Sequence, residues 1–218
     1  MLIYESFFLL FLGKWKHRNF IAVGSDNTKY LIGAGIMDLI LREKLVLEGK
    51  KLRVIDTNLT GVEYLDEILT IIKDSKKIRK LYRWFERLSY YHVIQLNTLV
   101  FKSLESQGIL KFERRVTAKI FYRWKFDLTR PEVIQSLLER IQKVFSDDLD
   151  PDIELLCLLS LLKNSRLTKA SISKEYRKIV KYRIEDLVRF GNYDPINLEM
   201  IVKTRKALRD SMREGIMV

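Results

Sequence analysis

Apolar positions recur at helical spacing through most of the chain, broken by two short stretches in which bulky and charged residues alternate. The 3.6-residue period predicts helices over residues 4–12, 29–44, 61–74, 77–88, 91–107, 130–145, 151–164, 173–190 and 195–214. A two-residue period predicts strands over 45–48 with 52–56, joined by Glu48-Gly49-Lys50-Lys51, and over 109–115 with 119–126. Thr60-Gly61-Val62-Glu63 and Thr129-Arg130-Pro131-Glu132 each set a hydroxyl three residues ahead of a glutamate, the capping-box pattern for a helix start. Asp150-Pro151 sets a cap residue before a proline at the first helical position. No low-complexity linker interrupts the chain, and the three prolines fall at helix starts or turns. The expected fold is mostly α: a single compact helical domain over residues 1–218 with short two-stranded β-hairpins.

The run Phe7-Phe8-Leu9-Leu10-Phe11-Leu12 imitates a signal peptide, but Glu5 precedes it without a basic leader and no small-residue cleavage site follows before Lys14. It also falls well short of the roughly 18–20 apolar residues a spanning helix needs. A short buried helix is expected, in a cytoplasmic protein.

Length and composition narrow the class. At 218 residues and 47% hydrophobic, the chain can bury a core without a metal or disulfide staple. The single cysteine, Cys157, lies in an apolar run and reads as a small buried hydrophobe, which fits a reducing compartment. Forty Lys and Arg against 28 Asp and Glu give a formal charge of +12, an excess that favours anionic partners.

Catalytic constellations are not legible. His17 and His92 have no second ligand at metal spacing, and Gly33 and Gly35 lack the third glycine of a dinucleotide fingerprint, so close helix packing explains them better. Asp66 and Glu67 are adjacent, which points them about 100° apart on a helix. The acidic run from Asp147 to Asp152 reads as a solvated loop favouring the next helix start. The chain is expected to be non-enzymatic, with no metal and no cofactor.

The informative stretch is 108–128. Between Lys111 and Phe126 it carries six Lys or Arg against one Glu, interleaved with aromatics. On a strand Ile120, Tyr122, Trp124 and Phe126 share one face, while Phe121, Arg123 and Lys125 share the other. Rings beside cations suit a membrane interface, where the ring sits at headgroup level and the cations meet phosphates. Phe121, Tyr122 and Trp124 are therefore the expected membrane anchors, and Arg114, Arg115, Lys119, Arg123 and Lys125 the expected lipid headgroup contacts. Further basic clusters lie at 76–84, with five cations, and from Lys163 to Arg183, with eight cations against one Glu. The same hairpin also fits the wing of a winged-helix nucleic-acid binder. That alternative needs a basic recognition helix; residues 32–41 are almost wholly apolar, and 93–107 carry one Lys.

Leu31 to Glu48, Leu65-Asp66-Glu67-Ile68-Leu69, Trp84-Phe85-Glu86-Arg87-Leu88-Ser89, Leu104-Glu105-Ser106-Gln107-Gly108-Ile109-Leu110 and the apolar helix at 155–162 resemble, in order, segments of the Golgi phosphoprotein 3 family. The resemblance implies one mostly helical domain, a peripheral membrane protein that binds phosphoinositide headgroups, and an aromatic hairpin that can enter the membrane. For eukaryotic members it also implies a membrane-trafficking adaptor that binds cytosolic tails and retains glycosyltransferases in the Golgi. By this register the family's pocket of one Trp and three Arg falls on Val23, Ile32, Ile94 and Asn97, which cannot grip a phosphate bidentately. Arg18 and Lys29 are the cations that could rebuild a site. The family's long basic insertion between the first two strands is reduced to the Glu48–Lys51 turn, as expected of a minimal, prokaryotic or archaeal member. The resulting expectation is a peripheral binder of anionic lipids with poor headgroup selectivity.

Overall fold

A computed structural model of the chain describes residues 1–13, 19–21, 26–117, 121–146, 149–165, 167–168, 172, 174, 176–177 and 179–214; at 19–21, 117, 121–122, 181 and 214 it describes the backbone alone. Among these residues the order is α1 (Ile3–Leu12), β1 (Asn19–Ile21), α2 (Asp26–Leu41), β2 (Leu45–Glu48), β3 (Lys51–Val54), α3 (Glu63–Lys73), α4 (Leu81–Tyr91), α5 (Val93–Ser106), β4 (Leu110–Thr117), β5 (Phe121–Leu128), α6 (Glu132–Phe145), α7 (Ile153–Asn164), α8 (Val180–Phe190) and α9 (Pro195–Glu214). The fold is mostly α, and no helix among the described residues is long and apolar enough to cross a membrane.

The apolar runs without a polar face become the centre. All ten residues of α1 are buried, as are residues 30–39 of α2 and 155–162 of α7, and the three helices pack on one another. Amphipathic helices surround them: α4 buries Leu81, Trp84, Phe85 and Leu88, and α6 buries Leu137, Ile141, Val144 and Phe145, each at helical spacing. Gly35 lets α2 approach α3, because a Cβ there would stand 2.7 Å from Tyr64 Cε1. The Gly33-Gly35 pair is thus a packing device.

A central helix must satisfy its first N–H groups without water. Buried Asp38 accepts from Ile3 N at 3.1 Å and Tyr4 N at 3.0 Å, and Glu5 accepts from Leu2 N at 3.1 Å, Ser103 Oγ at 2.7 Å and Gln107 Nε2 at 2.6 Å.

The predicted helix starts shift. Neither threonine caps a helix: Asp66 accepts from Thr60 N at 2.6 Å and Thr60 Oγ1 at 2.7 Å, while Thr129 Oγ1 donates to the Gly108 carbonyl at 2.6 Å. The cap of α7 is Asp152 rather than Asp150, accepting from Leu155 N at 2.8 Å. The helix expected over 173–190 is described only from Val180.

The larger sheet has three strands rather than the expected two, in the order β1-β5-β4, with Ile21 opposite Arg123 and Asn19 opposite Lys125. The β2–β3 hairpin pairs Glu48 with Lys51, and Gly49 takes φ +60° in its two-residue turn. Gly108, at φ +68°, ends α5 and turns the chain back so that Ile109 N donates to the Leu104 carbonyl at 3.0 Å.

Candidate membrane-facing surface

From Gly108, β4 turns back against the C-terminal half of α5. Its Phe112 ring lies 5.2 Å from Phe101, and the Trp124 ring of β5 stacks 6.1 Å from the same residue at 9°. The ladder extends from Leu110 opposite Leu128 to Thr117 opposite Phe121. Opposed residues share a face, so Leu110, Phe112 and Arg114 lie on the side of Leu128, Phe126 and Trp124. Along β4 this inner face passes from buried Leu110 through half-buried Phe112 to exposed Arg114 and Val116, the last 54% exposed. The far part of the hairpin therefore runs off the edge of the core.

Trp124 corrects an expectation. It is fully buried (0%) and stacked on Phe101, and buried Phe126 packs tilted against the same ring, so Trp124 anchors the hairpin to the core and presents nothing to a membrane. Phe121 and Tyr122 close the ladder opposite Thr117 and Val116; their side chains, and Lys119 entirely, lie outside the described residues.

The cations fare differently. Arg114, Arg115, Arg123 and Lys125 are all exposed and gather on adjacent rungs: Arg114 faces Trp124, Arg115 faces Arg123, and Lys125 faces Glu113. Arg115 Nη2 donates to Glu113 Oε2 at 2.8 Å, a bond that holds the Glu113 carboxyl below its usual range. The facing Arg115 and Arg123 are like charges across a ladder, which costs stability unless an anion lies near.

Of the four positions onto which the expected register puts the family's phosphoinositide pocket, the three described ones pack in or on the core. Ile32 is fully buried, Ile94 packs half-buried on the core, Asn97 is buried and Val23 lies outside the described residues. Asn97 instead borders a void of about 10 Å³ with Phe7, Phe8, Phe11 and Asn27 among its walls, room for a water at most. The Asn97 Nδ2 and Asn27 Oδ1 atoms are buried without hydrogen-bond partners. Arg18 falls outside the described residues, and Lys29 Nζ donates to the Ser211 carbonyl at 2.7 Å, so that ammonium is already held.

Other basic clusters are partly structural. The Arg79 guanidinium lies 5.3 Å from the Trp84 ring centroid and donates to the Lys77 carbonyl at 3.1 Å. In the 163–183 cluster Lys163 is paired with Glu185, which also accepts from Arg205 at 2.6 Å. Neither helix that precedes a hairpin offers a basic reading face: α2 is buried over 30–39, and Gln95, Lys102, Glu105 and Ser106 are the exposed residues of α5.

A cleft of about 1030 Å³ lies at the opposite end of α1 and α5, with Glu5, Asp38, Arg42, Lys102 and Arg140 among its walls. Its charges are mixed and its buried carboxylates already accept from the first turn of α1, so it reads as part of the core's construction. His92 is half-buried between α4 and α5, its pKa lowered by burial. Among the described residues no group of three or more His, Cys, Asp or Glu is placed to hold a metal ion.

Fold and surface together define a helix-cored protein whose basic β-projection overhangs one edge. The sequence profile of the Golgi phosphoprotein 3 (GPP34) family matches residues 3–211, nearly the whole chain, and the chain belongs to that family. Comparison with curated proteins gives no significant match.

Proposed function

We propose that this protein is a non-catalytic peripheral membrane protein that binds anionic lipid surfaces through the overhanging hairpin without selecting one phosphoinositide. The single observation that carries the reading is the hairpin itself: exposed Arg114, Arg115, Arg123 and Lys125 gather on adjacent rungs of a ladder that Trp124 and Phe126 fasten to the core. Each Lys or Arg near an anionic surface contributes roughly 1 kcal/mol, so four supply a measurable recruitment energy. Lys119, between the strands in sequence, is a fifth proposed contact, and Phe121 and Tyr122 are the proposed membrane anchors. The packed positions at Ile32, Ile94 and Asn97 support charge recognition over headgroup recognition, since none of these three side chains offers a guanidinium fork. By family membership the bound protein would then serve as an adaptor for cytosolic tails of membrane enzymes. The nucleic-acid alternative is weaker, because the single exposed cation of α5, Lys102, is thin for phosphate contacts.

The test is flotation with vesicles of phosphatidylcholine alone, with phosphatidylserine, or with a phosphoinositide at matched charge, beside a duplex DNA binding assay at the same salt. Binding to both anionic vesicles in proportion to charge is expected, weakening steeply with salt. Failure to float with anionic vesicles at low salt together with tight DNA binding refutes the lipid reading, and a clear preference for one phosphoinositide refutes the non-selective part.

A further inference from the structure

Helix α4 leaves two large aromatic residues outside. Its inner face buries Leu81, Trp84, Phe85 and Leu88, whereas Tyr90 and Tyr91, in its last turn, are 78% and 69% exposed. The two rings meet edge to face with centroids 4.9 Å apart, so they form one aromatic knob at the corner where α4 passes through His92 into α5. The Arg87 guanidinium stands 5.6 Å from the Tyr91 ring centroid, and that of Arg83 4.8 Å from Tyr82, one helical turn apart on the outer side of α4. From residue 76 to residue 91 the sequence carries six Lys or Arg against the single carboxylate of Glu86.

The corner adjoins the first turn of α5, and β4 and β5 pack on the same helix further along, with Phe112 and Trp124 against Phe101. The knob and the hairpin are thus both mounted on α5. We infer that the α4–α5 corner is a second membrane contact, with the Tyr90 and Tyr91 rings at the headgroup level of an anionic lipid surface and Arg87 and Arg83 beside its phosphates. This rests on the lipid-binding reading and adds to it the element that supplies apolar contact. A lipid surface suits the knob better than a protein pocket does, because the rings are bordered by cations rather than by an apolar rim. A tyrosine's apolar body and polar tip match the layer between water and acyl chains.

Two variants test it. Tyr90→Cys carrying an environment-sensitive fluorophore reports the polarity around the corner, and labelling is selective because Cys157, the one native cysteine, is buried and burial pushes its thiol well up. On adding vesicles of phosphatidylcholine with phosphatidylserine, the emission should shift to the blue and resist a collisional quencher dissolved in the water. The double variant Tyr90→Ser with Tyr91→Ser should float about tenfold less at high salt, where withdrawal of two half-immersed rings dominates, with an unchanged melting temperature. A label whose emission and quenching stay unchanged on vesicles that the protein visibly binds overturns the inference and leaves the lipid reading standing; such a corner would be open to a protein partner instead. A protein that binds no anionic vesicle at all overturns both.

Discussion

Asp38 offers a test of how the core is assembled. The carboxyl sits 2% exposed at the start of α1, and burial, its leading influence, outweighs the bonds from Tyr4 N and Ile3 N and the charge of Arg42, pushing its pKa from 3.8 up to about 7. The folded protein then holds the Asp38 proton more tightly than the unfolded chain does. Its contribution to stability is fully present below the unfolded value and is lost as pH rises through the folded one. At ~1.4 kcal/mol per pKa unit, the interval from 3.8 to about 7 is worth about 4 kcal/mol. Asp38→Asn keeps the shape and one acceptor but does not titrate. Chemical denaturation of both proteins across that interval should show the wild type losing ground to the variant by about that amount as pH rises, other titrating groups cancelling in the difference. Asp38→Ala should be less stable than the wild type at low pH, since each of the two orphaned N–H groups costs ~1–3 kcal/mol, and that deficit should shrink as pH rises through the same interval. Parallel pH profiles for wild type and Asp38→Asn would refute the argument, because a carboxyl in water at the helix start would titrate alike in both states.

Trp124→Ala should destabilise the fold by ~3–5 kcal/mol in denaturant, with its indole lost from the stack on Phe101; a variant that melts like the wild type would return Trp124 to the surface. Glu185 is held down to about 2 by Arg205 and Lys163 against the burial that raises it, so the stability it contributes is present above about 4.5 and lost as pH falls toward about 2. Acid titration of Glu185→Gln should accordingly show a shallower fall over that range than the wild type. Arg115→Gln with Arg123→Gln should reduce flotation with anionic vesicles several-fold at low salt, converge with the wild type at high salt, and leave the melting temperature unchanged or raised, because a facing pair of like charges is removed.

Where one face of an element alone is apolar, its disposition was legible in the sequence. The helices α3, α4 and α6 follow from their spacing, and α1 from its unbroken apolar run. The hairpin was legible as a hairpin, but alternation divides residues into two faces without saying which one meets the core when both carry rings. Only the approach of α5, with Phe101 beneath the sheet, decides that Trp124 goes inside. Strand β1 is three residues long and shows no period of its own; its pairing with β5 is a tertiary event. The two threonine signals had the right spacing, but the helix starts lie elsewhere: Thr60 Oγ1 donates to Asp66 and accepts from Val62 N at 3.1 Å in the turn ahead of α3, and Thr129 Oγ1 donates to the Gly108 carbonyl. Tyr90 could have been found, since extending α4's period past Leu88 places it opposite Trp84 and Leu88; Tyr91, seven residues after Trp84, falls on the apolar face by the same period, and its exposure comes from the helix ending there.

The buried tryptophan changes the energetics of the proposed membrane contact. With Trp124 inside, the described part of the hairpin brings charge rather than apolar area to a lipid surface, and four exposed cations with Glu113 between them give only a few kcal/mol at roughly 1 kcal/mol each. Attraction of that size fades as the Debye length shrinks. Stable attachment at a membrane ordinarily takes two signals, a charged patch and an apolar one. The proposed sources of the second are Phe121 and Tyr122, whose backbone closes the ladder, and the exposed Tyr90 and Tyr91 at the α4–α5 corner. A protein built this way would bind reversibly and scale with surface charge, which is the behaviour the packed positions at Ile32 and Asn97 leave open to it.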